Sequence, residues 1–308
     1  MMILDKNAFQ QACRYVEAHG RAVEVARLRI HFNRAPAAEV IAALAKYQNS
    51  DGGFGNALES DVRMPGSSAL ATSIAFQMLR ETGVVEQTEM TRRAAAYLVR
   101  TFDQAKMTWR VIAAEAEKWP HAPYWSQVGR EENFGGFQLN PTAELLGCLL
   151  DYPDGVPVAL VEALIAKVTS HLGGLSQIVM HDFLCCQRLV ESNRLAKATR
   201  DSILKDLLRL LPGTVTTDPA QWPGYCLRPI WAAPRPTSPF YPPLQAAVEA
   251  NLDFEIADQL PDGSWPANFS WDNHEPALWP AVLQEWKGVF IIEKMLALKR
   301  YGRIKGVE

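Results

Sequence analysis

Five residues in this chain combine ionisable side chains with positions near the start of, or on, a segment of helical spacing: Asp61, Glu144, Asp182, Asp272 and His274. A carboxyl group withdrawn from water has a raised pKa and can donate a proton, which its conjugate base can take back. Several carboxylates with one or two imidazoles suit general acid–base catalysis, with Asp61 and Asp272 as proton donor or base. The same residue types also cap helix starts, contributing roughly 0.5–2 kcal/mol each. Capping or turn structure is the leading reading of Glu59, Asp61 and Asn140. For Asp272, His274 and Glu275 the two readings balance, because three ionisable residues fall between Trp271 and Trp279.

His181 with Cys185, and Asp182 with Cys186, are i, i+4 pairs that invite a metal reading. On a helix the two pairs point about 100° apart, so one ion cannot easily use all four. A core or cavity-wall helix is the better reading, and no metal or other cofactor is expected. Aromatic side chains are the second chemical signal. Six of the nine tryptophans (Trp222, Trp231, Trp265, Trp271, Trp279 and Trp286) fall in the last third of the chain. Rings of this kind stabilise cations, stack on sugars or simply fill core volume. His121, Trp125, Trp231, Trp271 and Trp279 are the candidate substrate-binding residues.

The elements that must position these groups are helical. Apolar residues recur at helical spacing over residues 8–19, 36–47, 67–82, 88–103, 107–118, 141–151, 156–172, 174–191, 196–210, 241–256 and 276–301. No run of period-two alternation is long enough for a strand, so the expected class is all-α. Nine of the 20 prolines lie between Pro212 and Pro243, interleaved with aromatics. That density excludes a regular helix or a central strand, while the aromatic content is too apolar for a disordered linker. The segment is expected to be an ordered loop, serving as a lid or as a structural wrap.

Between the helices lies a repeated turn. Gln48-Asn49-Ser50-Asp51-Gly52-Gly53-Phe54 and Gln259-Leu260-Pro261-Asp262-Gly263-Ser264-Trp265 share one pattern, each preceding a helix. Glycine tolerates the positive φ of a tight turn, the aspartate can close an Asx turn, and the aromatic can pack back over it. Asn133-Phe134-Gly135-Gly136-Phe137 reads as a degenerate third copy and Gly173-Gly174 as a weaker fourth. Asp51 and Asp262 belong to the turn rather than to any chemistry.

These two copies resemble the Q-x-x-D-G-[SG]-[WF] repeat of squalene-hopene and oxidosqualene cyclases, and Gly-Gly-Phe turns recur in the β subunits of protein prenyltransferases. The resemblance implies a single α/α toroid over residues 1–308, with inner and outer helices joined by Gly-rich turns around a central cavity. In such a toroid the polar groups near the turns converge on one end of an apolar, aromatic-lined cavity. The implied ligand is small and apolar or isoprenoid-like. The D-x-D-D, D-D-x-x-D and D-x-C motifs of those families' chemistry are all missing here. Carboxylate acid–base chemistry on an isoprenoid-type substrate is the leading expectation. A carbohydrate-active hydrolase or lyase on an α/α barrel, and a non-catalytic binding or interaction module, are the alternatives.

Bulk properties narrow the classes further. The 308 residues are 48% hydrophobic and 21% charged, with a net charge of −3, and no basic stripe suggests nucleic acid. The start lacks the apolar run of a secretory signal, and no stretch approaches the roughly 20 apolar residues of a spanning helix. The apolar segment Trp279–Leu298 can touch a bilayer or be buried in a toroid wall. Five irregularly spaced cysteines point to reduced thiols, so a cytoplasmic location is expected.

Overall fold

The computed structural model describes residues 1–84 and 86–307. Among the described residues the chain is all-α, with isolated β-bridges but no strand. The helices are α1 (Lys6–His19), α2 (Ala22–Asn33), α3 (Ala38–Leu44), α4 (Ala69–Glu81), α5 (Glu89–Thr101), α6 (Glu132–Gly135), α7 (Leu139–Asp151), α8 (Val158–Gly174), α9 (Met180–Val190), α10 (Lys197–Leu210), α11 (Pro229–Ala232), α12 (Tyr241–Ala257) and α13 (Trp279–Arg300). None of them is long and apolar enough to cross a membrane. The chain divides into two compact units: a terminal unit of Met1–Ala43 with Val215–Glu308, and a middle unit of Leu44–Thr214.

In the middle unit α4 packs on α7 and α7 on α9, while α5 lies on α4, α8 on α7, and α10 on α8 and α9. Burial follows that layering. Ten residues of α7 are buried, but α8 buries only Leu164, Val168 and Leu172, and α10 only Ile203, Leu207 and Leu210. A helix buried nearly all round belongs in a core, and one with a single apolar stripe belongs outside it. In the terminal unit α1 packs on α2 and α13, and α11 packs on α12. The two chain ends are joined there: Leu4 N–H donates to the Arg303 carbonyl at 2.8 Å, and Lys305 N–H to the Leu4 carbonyl at 2.9 Å.

The repeated turn is built identically in both units. Gln48 Nε2 donates to the Gly52 and Met90 carbonyls, both at 2.9 Å. Gln259 Nε2 donates to the Gly263 carbonyl at 3.1 Å and the Ala8 carbonyl at 3.2 Å. The Asp51 carboxylate accepts from Gly53 N–H at 3.0 Å, and the Asp262 carboxylate from Ser264 N–H at 2.9 Å. Gly52 (φ 93°) and Gly263 (φ 88°) are left-handed, and a Cβ on either would overlap a helix carbonyl, Arg93 or Gln11. Arg93 lies three residues after Met90 and Gln11 three after Ala8, so both turns dock in one register, on α5 and α1 respectively. Each of these helices carries a tyrosine four residues further on, Tyr97 and Tyr15. Burial, and then the turn's aspartate, raise both phenols, Tyr97 to about 12. The closing aromatics Phe54 and Trp265 are fully buried, worth roughly 2–3 kcal/mol each.

Three expectations fail for identifiable reasons. Residues 107–118 are not a helix: Met107 is left-handed, Asp103 N–H bonds the Thr108 carbonyl at 2.9 Å, and only Ala114–Lys118 forms a 3₁₀ turn. Tertiary contacts decide this, because buried Trp109 ties its indole Nε1 to the Leu98 carbonyl at 2.7 Å. The helix α2 escapes apolar periodicity because its buried face includes charge. Glu24 is fully buried and accepts from Arg21 at 2.8 and 2.9 Å, and Arg27, three residues on, is buried too. The presumed weaker turn copies do not form: Gly135 ends α6, Gly136 is extended, Gly173 and Gly174 finish α8, and none takes a positive φ.

The proline-rich segment is ordered. Val215 pairs with Leu227, buried Trp222 donates to the Thr216 carbonyl at 2.8 Å, and α11 begins on a proline, which helices tolerate there. Arg228 anchors it to an ion cluster at the core of the terminal unit. Arg228 bonds Glu255 at 2.7 Å, Lys294 bonds the other oxygen of Glu255, and Asn251 donates to Glu255 at 3.2 Å. Burial alone would raise the Glu255 carboxyl, but Lys294 and Arg228 outweigh it and hold it below its ordinary value.

Replacing Gly52 or Gly263 by alanine is expected to destabilise the protein by about 2 kcal/mol or more in urea unfolding. Gly83→Ala, at φ 79° with open space around it, is expected to lose only about 1 kcal/mol. Equal losses at the three positions would contradict the docked turn.

Candidate functional site

Two clusters in the middle unit hold the ionisable residues that the sequence singles out there. The first lies between α7 and α9. Their backbones approach closely because Gly147 leaves room: a Cβ there would sit 3.3 Å from Leu189 Cα. At the head of α7, Asn140 is non-helical ahead of Pro141, with a cis bond between them. Its backbone N–H, free of any helical acceptor, donates to Asp182 Oδ1 at 2.8 Å. One turn further on Glu144 is buried, with 1% of its surface exposed. Its Oε2 accepts from Arg188 Nη1 at 3.0 Å and from the Cys185 thiol at 3.6 Å, and that thiol also reaches Asn140 Oδ1 at 3.5 Å. Glu144 Oε1 is buried without a hydrogen-bond partner.

The electrostatics sort these groups. Burial, reinforced by Glu144, pushes the Cys185 thiol well above its ordinary range, so it stays protonated and acts as a donor. Burial likewise raises the half-buried Asp182 carboxyl, against the opposing pull of the Asn140 N–H. His181, on the same helix, is lowered by desolvation of its ring and then by Arg188. The cluster is braced from α4: Arg80 pairs with Asp151 at 2.8 Å and donates to the Arg188 carbonyl at 3.2 Å, and Ser192 bonds Asp151 at 2.5 Å. A buried acceptor with no satisfied hydrogen bond costs about 1–3 kcal/mol, so Oε1 is either a strain point or an atom kept for a ligand or proton.

The second cluster forms where the loop between α3 and α4 meets the segment between α5 and α7. Asp61, 2% exposed, accepts a short hydrogen bond from the Tyr124 hydroxyl, and its carbonyl accepts from Ala122 N–H at 2.9 Å. His121 bridges to Val62 in antiparallel fashion. Its Nδ1 lies 2.7 Å from the Trp119 carbonyl, which can only accept, so Nδ1 carries the proton and Nε2 faces Glu117 at 3.7 Å. Trp125 packs on Phe134 at 6.2 Å, and its buried indole Nε1 has no hydrogen-bond partner. Asp61, His121 and Trp125 are thus neighbours, as are Glu144 and Asp182.

Asp272 and His274 belong to the terminal unit, where both are exposed in the loop before α13. Asp272 accepts from Ser270 Oγ at 2.7 Å and from Asn273 N–H at 3.0 Å, the bonds of a local turn. Trp271 and Trp279 are buried against each other at 5.5 Å, and half-buried Trp231 lies 5.5 Å from the Arg228 guanidinium. Sequence reasoning missed Arg188 as a partner of Glu144, Tyr124 as a partner of Asp61, and the whole Glu255 cluster. Arg188 falls two helical turns from Asp182 and carried no signal of its own. No protein-family model, no curated protein and no solved structure matches the chain.

The raised Asp182 carboxyl sets a pH dependence. Because its folded pKa lies above the unfolded one, the folded state loses stability as pH rises through that value. Asp182→Asn keeps an acceptor for Asn140 without the charge. Its urea midpoint should exceed that of the wild type at neutral pH and converge with it as pH falls through the carboxylate range. A difference independent of pH would contradict the assignment.

Proposed function

We propose that this chain is an α/α toroid of the terpenoid-cyclase and protein-prenyltransferase type, and that the cluster between α7 and α9 is an acid–base site for an unsaturated, isoprenoid-like substrate. Three features support the toroid: the turn docked in one register in both units, the row of α4, α7 and α9 with outer helices behind it, and the joined chain ends. The observation that carries the chemistry is Glu144, a buried carboxylate with one oxygen held by Arg188 and the other without a partner.

Arg188 fixes the orientation of Glu144 through Oε2, which leaves Oε1 as a base for a carbon-bound proton. Asp182, raised by burial, is the complementary acid. Cys185 and Asn140 position the pair. An acid and a base on adjacent helices can move a proton onto one carbon of an unsaturated chain and remove one from another. The five cysteines are all free, which supports a reducing, cytoplasmic setting.

Binding is the first test. Farnesol or squalene at a hundredfold excess over its dissociation constant should stabilise the folded protein by roughly 2.7 kcal/mol in a thermal melt. Stabilisation by maltooligosaccharides, with none by the isoprenoids, would overturn the proposal in favour of sugar chemistry.

A further inference from the structure

The middle unit carries a hollow that does not belong to the acid–base cluster, and the inference from it does not rest on the proposed reaction. It measures about 220 Å³ and is formed by the end of α7 (Leu149, Leu150), the following loop (Pro153, Val156), the first turns of α8 and Arg194 between α9 and α10. From α8 it receives Val158, 71% exposed, and Val161. Its wall is aliphatic apart from the single guanidinium. Arg194 is exposed; its backbone N–H donates to Ser192 Oγ at 3.3 Å, and its guanidinium makes no hydrogen bond or ion pair among the described residues. The other arginines of this region are engaged: Arg188 with Glu144, Arg200 with the Val190 and Ser192 carbonyls, and Arg209 with Asp206.

An aliphatic trough with one unneutralised cation at its rim matches one ligand chemistry, a saturated chain ending in an anion. The hollow is far larger than the space one water needs and can take a short hydrocarbon chain. Aliphatic walls without aromatic rings favour a flexible hydrocarbon chain over a stacked ring. The charge favours a carboxylate over a neutral alcohol. We propose that this hollow binds a free medium-chain carboxylate, with the chain along Leu149, Val156 and Val161 and the head at Arg194.

The test is calorimetric titration of the whole protein with sodium octanoate, sodium butanoate, octan-1-ol and anionic phospholipid vesicles. Octanoate should bind at least about tenfold more tightly than butanoate, since four more methylenes leave water. Arg194→Gln should weaken octanoate about twofold to fivefold and leave octanol unchanged, the size of an exposed ion pair. Val158→Glu should weaken octanoate through repulsion and lost apolar contact. Both positions are exposed, so far-UV circular dichroism should match the wild type. Equal binding of octanoate and octanol, with Arg194→Gln silent, would overturn the assignment. So would no binding of octanoate, or binding confined to anionic phospholipid vesicles, which would make the face a membrane contact.

Discussion

A left-handed glycine pressed against a helix carbonyl is the contact on which both units are built. Gly52 sits on Arg93 and Gly263 on Gln11, with no room for a side chain at either place. The rest of each turn follows from that approach. Once the glycine is seated, the glutamine four residues earlier reaches the carbonyl one turn back on the same helix, and the aspartate is held to close the loop. The aromatic that follows has no direction left but the core. In the terminal unit the partner is α1, so the contact ties the beginning of the chain to its last third. A local backbone requirement thereby fixes a long-range pairing.

The same economy of space appears between α7 and α9. Gly147 permits the helices to close, and that closeness brings Asn140, Glu144, Cys185 and Arg188 within reach of one another. Desolvation raises Asp182 and Cys185, whose charged forms have weak support, and Glu144 pairs with a half-exposed guanidinium. A buried pair of this kind seldom adds net stability over apolar packing, so its presence asks for a reason other than folding. The Glu255 cluster of the terminal unit differs here: both oxygens of its carboxylate are engaged, and it locks α12 and α13 to the proline-rich segment.

Legibility in the sequence tracks how local each signal is. The docked turns were readable because glycine, aspartate and a buried aromatic at fixed offsets act within seven residues. Most helices were readable from apolar period, including α4, α5, α7, α10, α12 and α13. The helix α2 is not, since charged Glu24 and Arg27 share its buried face with Val23, Ala26 and Leu28, and residues 107–118 carry a helical spacing although Trp109 and Thr108 are claimed by other elements. Within the candidate site, Glu144 and Asp182 were visible by residue type. Their partners were not, because Arg188 and Cys185 acquire meaning only when α9 is laid against α7. Asp272 and His274 show the converse: residue type suggested chemistry, while the loop leaves both exposed.

The central claim is that Glu144 and Asp182 move protons on an unsaturated chain, and isotope exchange addresses it most directly. The protein would be incubated with farnesol or squalene in deuterium oxide and the hydrocarbon analysed by mass spectrometry. The account predicts deuterium incorporation by the wild type and a loss of about a hundredfold or more in Glu144→Gln, the scale of a removed general base. Undiminished incorporation in Glu144→Gln, or none in the wild type, would contradict it.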